Sequence, residues 1–122
     1  YEMIVTAFAR GDRKELKPLL SREVFDDFST AISQRETKSE INETTFVGIN
    51  SSDVIEADLR SGTAHVTVRF VSELISAIKN RAGEVVDGDP KKIREVIDVW
   101  TFARELASRN PNWRVVSTSG AA

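Results

Sequence analysis

The chain contains no cysteine, which excludes disulfide bonds, thiolate nucleophiles and cysteine-bound zinc, and fits a reducing compartment. Its single histidine, His65, cannot form a histidine-based metal site alone. No apolar run reaches the roughly 18 residues of a transmembrane helix. Acidic and basic side chains nearly balance at a formal net charge of −2, so nothing in the overall charge attracts nucleic acid. What remains is a globular chain with 40% apolar residues, enough for one core.

Motifs that cradle phosphates or perform nucleophilic catalysis are also missing. The sequence has no glycine-rich phosphate loop, no serine–histidine–aspartate order and no basic stripe interleaved with aromatic residues. It therefore predicts no cofactor, no metal, no catalytic site and no nucleic-acid partner.

The first third of the chain has apolar residues at helical spacing. The first helix carries them at i, i+3, i+4 and i+7, and Gly11 provides the residue that ends it. Asp12 and Ser21 are N-cap candidates for a short second helix through Leu20 and for a third helix that ends in the polar stretch 34–42. The predicted apolar stripe of the third helix consists of Val24, Phe25, Phe28 and Ile32.

From Thr44 onward apolar and polar residues alternate, as in strands with one buried face. A hairpin is predicted around the turn 61–62, with Ile55 and Leu59 on the buried face of its first strand. The second strand continues to Ile78, and such length predicts a bulge that curves the sheet. Strands over 93–106 and 113–117 follow a polar connection at 80–92, and a frayed end is expected at 120–122. We predict an α+β fold in which N-terminal helices pack on a strongly curved antiparallel sheet.

The sequence begins with Tyr1 rather than Met, and it begins inside the spacing of the first helix. This indicates a single domain over 1–122 that is truncated at its N-terminus.

Two segments carry a family resemblance. Residues 8–28 join the turn Ala-Arg-Gly-Asp to Leu-Leu-Ser and Val-Phe-Asp-Asp-Phe, and residues 99–113 join Val-Trp-Thr-Phe-Ala-Arg to Asn-Pro-Asn-Trp. In combination they resemble the Tim44-like family, within the cone fold named after nuclear transport factor two. This family includes a peripheral, matrix-side subunit of the mitochondrial inner-membrane translocase and bacterial relatives. The likeness spans essentially the whole chain.

The resemblance implies an adaptor rather than an enzyme. The expected location is peripheral at an inner membrane, on its cytoplasmic or matrix side, with anchoring supplied by a missing N-terminal segment. The expected partners are anionic phospholipid and an unidentified membrane or chaperone-associated protein. In the mitochondrial member the domain is linked to cardiolipin-rich membrane and holds a deep apolar pocket, so a similar pocket is expected here.

Two groups of side chains are candidate sites. A bent sheet closed by helices would gather aromatic side chains into a cavity for an acyl chain or similar apolar ligand, although the same side chains would also suit an ordinary core. The predicted pocket residues are Phe8, Phe25, Phe28, Phe70, Trp100, Phe102 and Trp113. The predicted lipid-headgroup residues are Arg10, Arg13, Lys14 and Lys17, with Arg22 nearby. The alternative for these basic residues is a solvated helix face.

Asp98 keeps an alternative function open. Strand alternation places it on one face with Trp100, Phe102 and Arg104, where aromatic surroundings raise a carboxyl pKa and suit a general base. No second catalytic partner is evident on that face, and His65 points to the other. A small-molecule enzyme of the same fold and a purely protein-binding scaffold are therefore the alternatives to the adaptor.

Overall fold

A computed structural model describes residues 1–120, and it shows three helices followed by five strands. The helices are α1 Glu2–Arg10, α2 Arg13–Leu16 and α3 Arg22–Thr37, with one 3₁₀ turn, Lys17–Leu19, between the last two. The strands are β1 Ile41–Arg60, β2 Thr63–Lys79, β3 Val85–Gly88, β4 Arg94–Glu105 and β5 Arg114–Gly120. The predicted α+β class is confirmed. Apart from Gly120, the predicted frayed end lies outside the described residues.

Local side chains set the helix boundaries. Gly11 adopts a left-handed conformation with φ of 72° and ends α1. The Asp12 side chain accepts a hydrogen bond from the Glu15 amide, and Ser21 accepts one from the Val24 amide. These caps confirm the sequence predictions. Helix α3 ends at Thr37, within the polar stretch 34–42 in which the sequence predicted its end.

The sheet is antiparallel in the order β1-β2-β4-β5, and β3 pairs with the end of β2 beyond β4. The segment that leads into α3 attaches to the far edge. Leu20 forms a parallel bridge with Val115, and the Ser21 amide donates to the Val115 carbonyl at 2.8 Å. This contact fixes the start of α3 beside the start of β5.

Most of the β-bulges of the sheet lie in β1. This strand uses 20 residues where β2 uses 17, and the register shifts at three places between Phe46 and Glu56. The bulge was predicted in β2, and that prediction is wrong. Strand β2 is paired on both sides, so an extra residue there would disrupt two ladders, whereas the outer edge of β1 already faces solvent.

The core lies between the helices and the second half of β2. Its buried members are Ile4, Ala7, Leu16, Leu20, Val24, Ile32, Phe70, Trp100 and Val115. The other half of the hairpin has no such cover, and Ile55 and Leu59 are 55% and 62% exposed. The predicted burial of these two residues is wrong because alternation shows which residues share a face, not whether another layer lies on it.

Candidate functional site

An aromatic group stands at the centre of the helix-covered face. The Tyr1 ring stacks on Phe70 at 4.2 Å between centroids and lies 4.7 Å from Trp100. Trp100 is only 5% exposed, as a core position requires. Its aromatic neighbours are Tyr1, Phe70 and Phe102, which come from the start of the chain and from the sheet.

A polar group is embedded among these rings. The Tyr1 hydroxyl donates to Asp98 Oδ2 at 2.6 Å and lies 3.1 Å from the Oγ of Ser72, which is fully buried. Burial, and then the hydrogen bond to Asp98, raise the pKa of Tyr1 to about 12. Tyr1 therefore keeps its proton at neutral pH, and this bond satisfies the carboxylate rather than exchanging protons with it.

A cavity of about 400 Å³ opens between this group and the helices, and we call it the cone pocket. Ile4, Val5, Phe8 and Phe28 line its helical side, and Trp100 and Asp98 are among the residues on its sheet side. The Phe8 and Phe28 rings lie 4.9 Å apart, and the Arg35 guanidinium lies 4.8 Å above Phe8. The helical side of the pocket is therefore apolar, whereas its sheet side also carries polar residues: Ser76, Arg94, Asp98, Thr118 and Ser119.

The structure divides the seven aromatic residues predicted to line a pocket. Phe8, Phe28 and Trp100 line the cone pocket. Phe70 and Phe102 pack in the core, with ring centroids 6.1 Å apart. Phe25 packs against the core and borders a different cleft, and Trp113 is 38% exposed just before β5. Trp113 is thus separated from the group in which the sequence placed it, since the helices do not cover its position.

The four predicted headgroup residues fall into two pairs. Arg10 forms an ion pair with Glu15 at 2.7 Å, and Arg13 forms one with Glu36 at 2.9 Å. The Arg13 guanidinium also holds the pKa of Glu36 below its usual range. Two of the four guanidinium or ammonium groups are therefore already engaged by acids of the same chain.

Lys14 and Lys17 are exposed and line an open cleft of about 650 Å³, which we call the lysine cleft. Arg22 and Arg114 complete its basic lining, and Asp26 is the acid among its lining residues. Sequence reasoning noted Arg22 but missed Arg114, which is distant in sequence. The contact between Leu20 and Val115 brings the two arginines to the same place.

Comparison with known proteins agrees with this architecture. Residues 1–120 match the Tim44-like domain family. The mitochondrial import inner membrane translocase subunit TIM44 of Rattus norvegicus is 26% identical over 118 residues, which cover 95% of this chain and 26% of that protein. The Homo sapiens protein of the same name is 23% identical over 118 residues, which again cover 95% of this chain and 26% of that protein. The chain therefore spans about a quarter of the length of these relatives.

A solved structure shares the fold. The intermembrane space region of the chloroplast protein ARC6 superposes with a TM-score of 0.62 at 12% identity, covering 98% of this chain and 88% of that one. Within residues 1–120, no helix is both long enough and apolar enough to span a bilayer. With the family match over nearly its whole length, this chain belongs to the Tim44-like domain family.

Proposed function

We propose that this domain is a non-enzymatic adaptor that docks peripherally on an anionic inner membrane and serves protein translocation or the assembly of a membrane complex. The observation that carries the proposal is the lysine cleft, in which four basic side chains surround one opening with a single acid, Asp26. The relatives are named as inner-membrane translocase subunits, which supports the same location for this chain.

The charge of the cleft sets the strength of docking. Each lysine or arginine near an anionic surface contributes about 1 kcal/mol, so four contribute about 4 kcal/mol, equivalent to a millimolar dissociation constant. The negative charge of Asp26 opposes this attraction, so the binding free energy is smaller than about 4 kcal/mol. Docking through the cleft alone is therefore transient and salt-sensitive, and stable residence requires a second attachment. We assign that attachment to a segment preceding Tyr1 or to a membrane or chaperone-associated protein partner.

The cone pocket supports a second element of the proposal, an apolar ligand such as an acyl chain. Its volume of about 400 Å³ lies within the range of about 300–1,000 Å³ typical of ligand pockets. The walls from α1 and α3 are apolar. On the sheet side, Asp98 already accepts the Tyr1 hydrogen bond, and Arg94, Ser76, Thr118 and Ser119 leave a polar end at which the head of an acyl ligand would lie.

Vesicle co-sedimentation tests the docking. The double variant Lys14→Ser/Lys17→Ser removes two charges from the cleft, and Lys91→Ser/Lys92→Ser removes two exposed charges from the loop between β3 and β4. We expect the first variant to lose most binding to phosphatidylcholine vesicles that contain cardiolipin, and the second to bind as the unchanged chain does. Equal losses in both would show that net charge, rather than the cleft, governs binding and would refute the site.

A further inference from the structure

A second cleft, of about 410 Å³, lies beside the lysine cleft where β4 ends and β5 begins. We call it the arginine cleft. Arg22 and Arg114 line both clefts, so the two form one continuous basic surface. The arginine cleft adds Arg104, His65, Asn110 and Asn112, and Glu105 is the acid in its lining.

The cationic groups of this cleft are not neutralised by the described part of the chain. Among residues 1–120, no ion pair involves Arg22, Arg104 or Arg114. The Nε of Arg104 and the Nδ1 of His65 are buried and have no hydrogen-bond partner. These two atoms lie on opposite faces of the sheet, because His65 pairs with Ala103 and Arg104 with Ala64, so one group in the cleft cannot bond to both. The exposed guanidinium groups of Arg22 and Arg114 are open to a bound anion.

Phosphate oxygens match this lining. Arginine presents a planar fork of N–H donors that binds phosphate in a bidentate manner, and the asparagine side chains add neutral donors. Three arginines against one glutamate leave a positive excess for a group that carries one or two negative charges.

The surroundings of the cleft indicate where the phosphate resides. Leu106 and Trp113 flank the loop that supplies Asn110 and Asn112, and they are 50% and 38% exposed. The Leu106 amide donates to the Gly62 carbonyl at 3.0 Å, which holds the loop against the tip of the β1–β2 hairpin. Tryptophan beside exposed aliphatic side chains is typical of surfaces that enter the headgroup region of a bilayer.

We infer that the arginine cleft binds the phosphate of an anionic membrane lipid while Leu106 and Trp113 enter the lipid beside it. The inference deepens the proposed membrane docking, on which it rests, by giving the bound group and the orientation of the domain. The tip of the β1–β2 hairpin and the loop between β4 and β5 then face the bilayer. The cone pocket is a separate cavity of the domain.

A matched pair of charge variants tests the cleft. Arg104→Gln removes a cleft arginine, and Arg109→Gln removes an exposed arginine of the same loop that does not line the cleft. We expect Arg104→Gln to weaken binding to cardiolipin-containing phosphatidylcholine vesicles about tenfold, since a charged hydrogen bond is lost, and Arg109→Gln to change it less than about twofold. Equal effects would overturn the arginine cleft.

Lipid quenching of tryptophan fluorescence gives a second measurement that does not depend on the folding of Arg104→Gln. The chain has two tryptophans, of which Trp100 is buried and Trp113 exposed. We expect brominated lipid to quench the unchanged chain and to leave Trp113→Phe unquenched. Quenching that survives in Trp113→Phe would overturn the orientation.

The outcomes separate this inference from the proposed function. If Lys14→Ser/Lys17→Ser loses vesicle binding and Arg104→Gln binds as the unchanged chain does, docking is upheld and the arginine cleft is refuted. Absence of vesicle binding by the unchanged chain would refute both. Calorimetry with glycerol 1-phosphate tests whether the bound phosphate could belong to a soluble compound instead of a lipid. Saturable binding of glycerol 1-phosphate, together with no quenching by brominated lipid, would reassign the cleft to a soluble phosphate compound.

Discussion

The two ends of the sheet differ in what lies on them. At the helix-covered end, Trp100 is buried beneath Tyr1 and the aromatic rings pack on each other. At the hairpin end, Leu59 is exposed on β1, and Leu106 and Trp113 are exposed next in sequence to residues that line the arginine cleft. The same alternating pattern encodes both ends, so burial is decided by the helices rather than by the strands. The covered end supplies stability, and the uncovered end has side chains left for binding.

Substitution of the two tryptophans gives the largest contrast between these ends. Trp100→Ala removes a buried ring and is expected to cost about 3–5 kcal/mol of unfolding free energy, a large part of the stability of a small domain. Trp113→Ala, at an exposed position, is expected to change it by about 0.5 kcal/mol or less. Urea denaturation followed by circular dichroism measures both. Similar losses of unfolding free energy in the two variants would contradict the difference between the covered and uncovered ends of the sheet.

High pH tests the polar group within the covered end. The Tyr1 hydroxyl has a pKa of about 12 against an ordinary 10.0, so the folded state retains this proton more strongly than the unfolded state. Its contribution to stability is complete below pH 10.0 and is lost as pH rises toward about 12. We expect Tyr1→Phe to show a weaker decline in unfolding free energy across this window. The chain has one tyrosine, so an absorbance titration of phenolate reports this group alone, and an unshifted titration would contradict the assignment.

Within the covered end, the smallest effect on stability is expected at Asp98. In Asp98→Asn the amide oxygen still accepts the Tyr1 hydroxyl, so only the charge assistance of that bond is lost, about 0.5–1.5 kcal/mol. Vesicle binding is expected to be unchanged because Asp98 lines neither basic cleft. Complementation of a strain that lacks the protein checks the function. A folded, stable Asp98→Asn variant that fails to complement would favour the enzyme alternative over the adaptor.

Features set by neighbouring residues could be predicted from the sequence. Gly11 ends a helix because it adopts φ of 72°, and Asp12 and Ser21 cap helices through amides only three residues away. Each of these depends on a few consecutive residues, and so does the change of period near Thr44. The family resemblance drew on similar local runs, and it is confirmed by the match over residues 1–120.

Features that depend on the position of a strand in the sheet could not be predicted. Three bulges lie in β1 and one in β5, the strands at the two ends of the sheet order, and those positions follow from the pairing of β2 with β4. Arg13 looked free because its acidic partner, Glu36, is 23 residues away on α3. Arg104 and Arg114 belong to different strands, and only the assembled sheet shows that they line one cleft.

The bridge between Leu20 and Val115 has a thermodynamic consequence for the binding surface. It joins segments nearly a chain length apart, and it places Arg22 and Arg114 where both basic clefts need them. A conformation in which β5 has detached therefore has neither cleft. Any anion that binds only the closed form stabilises the attachment of β5, by an amount that rises with its free concentration relative to its dissociation constant. Attachment to a membrane would then also fasten the last strand of the sheet.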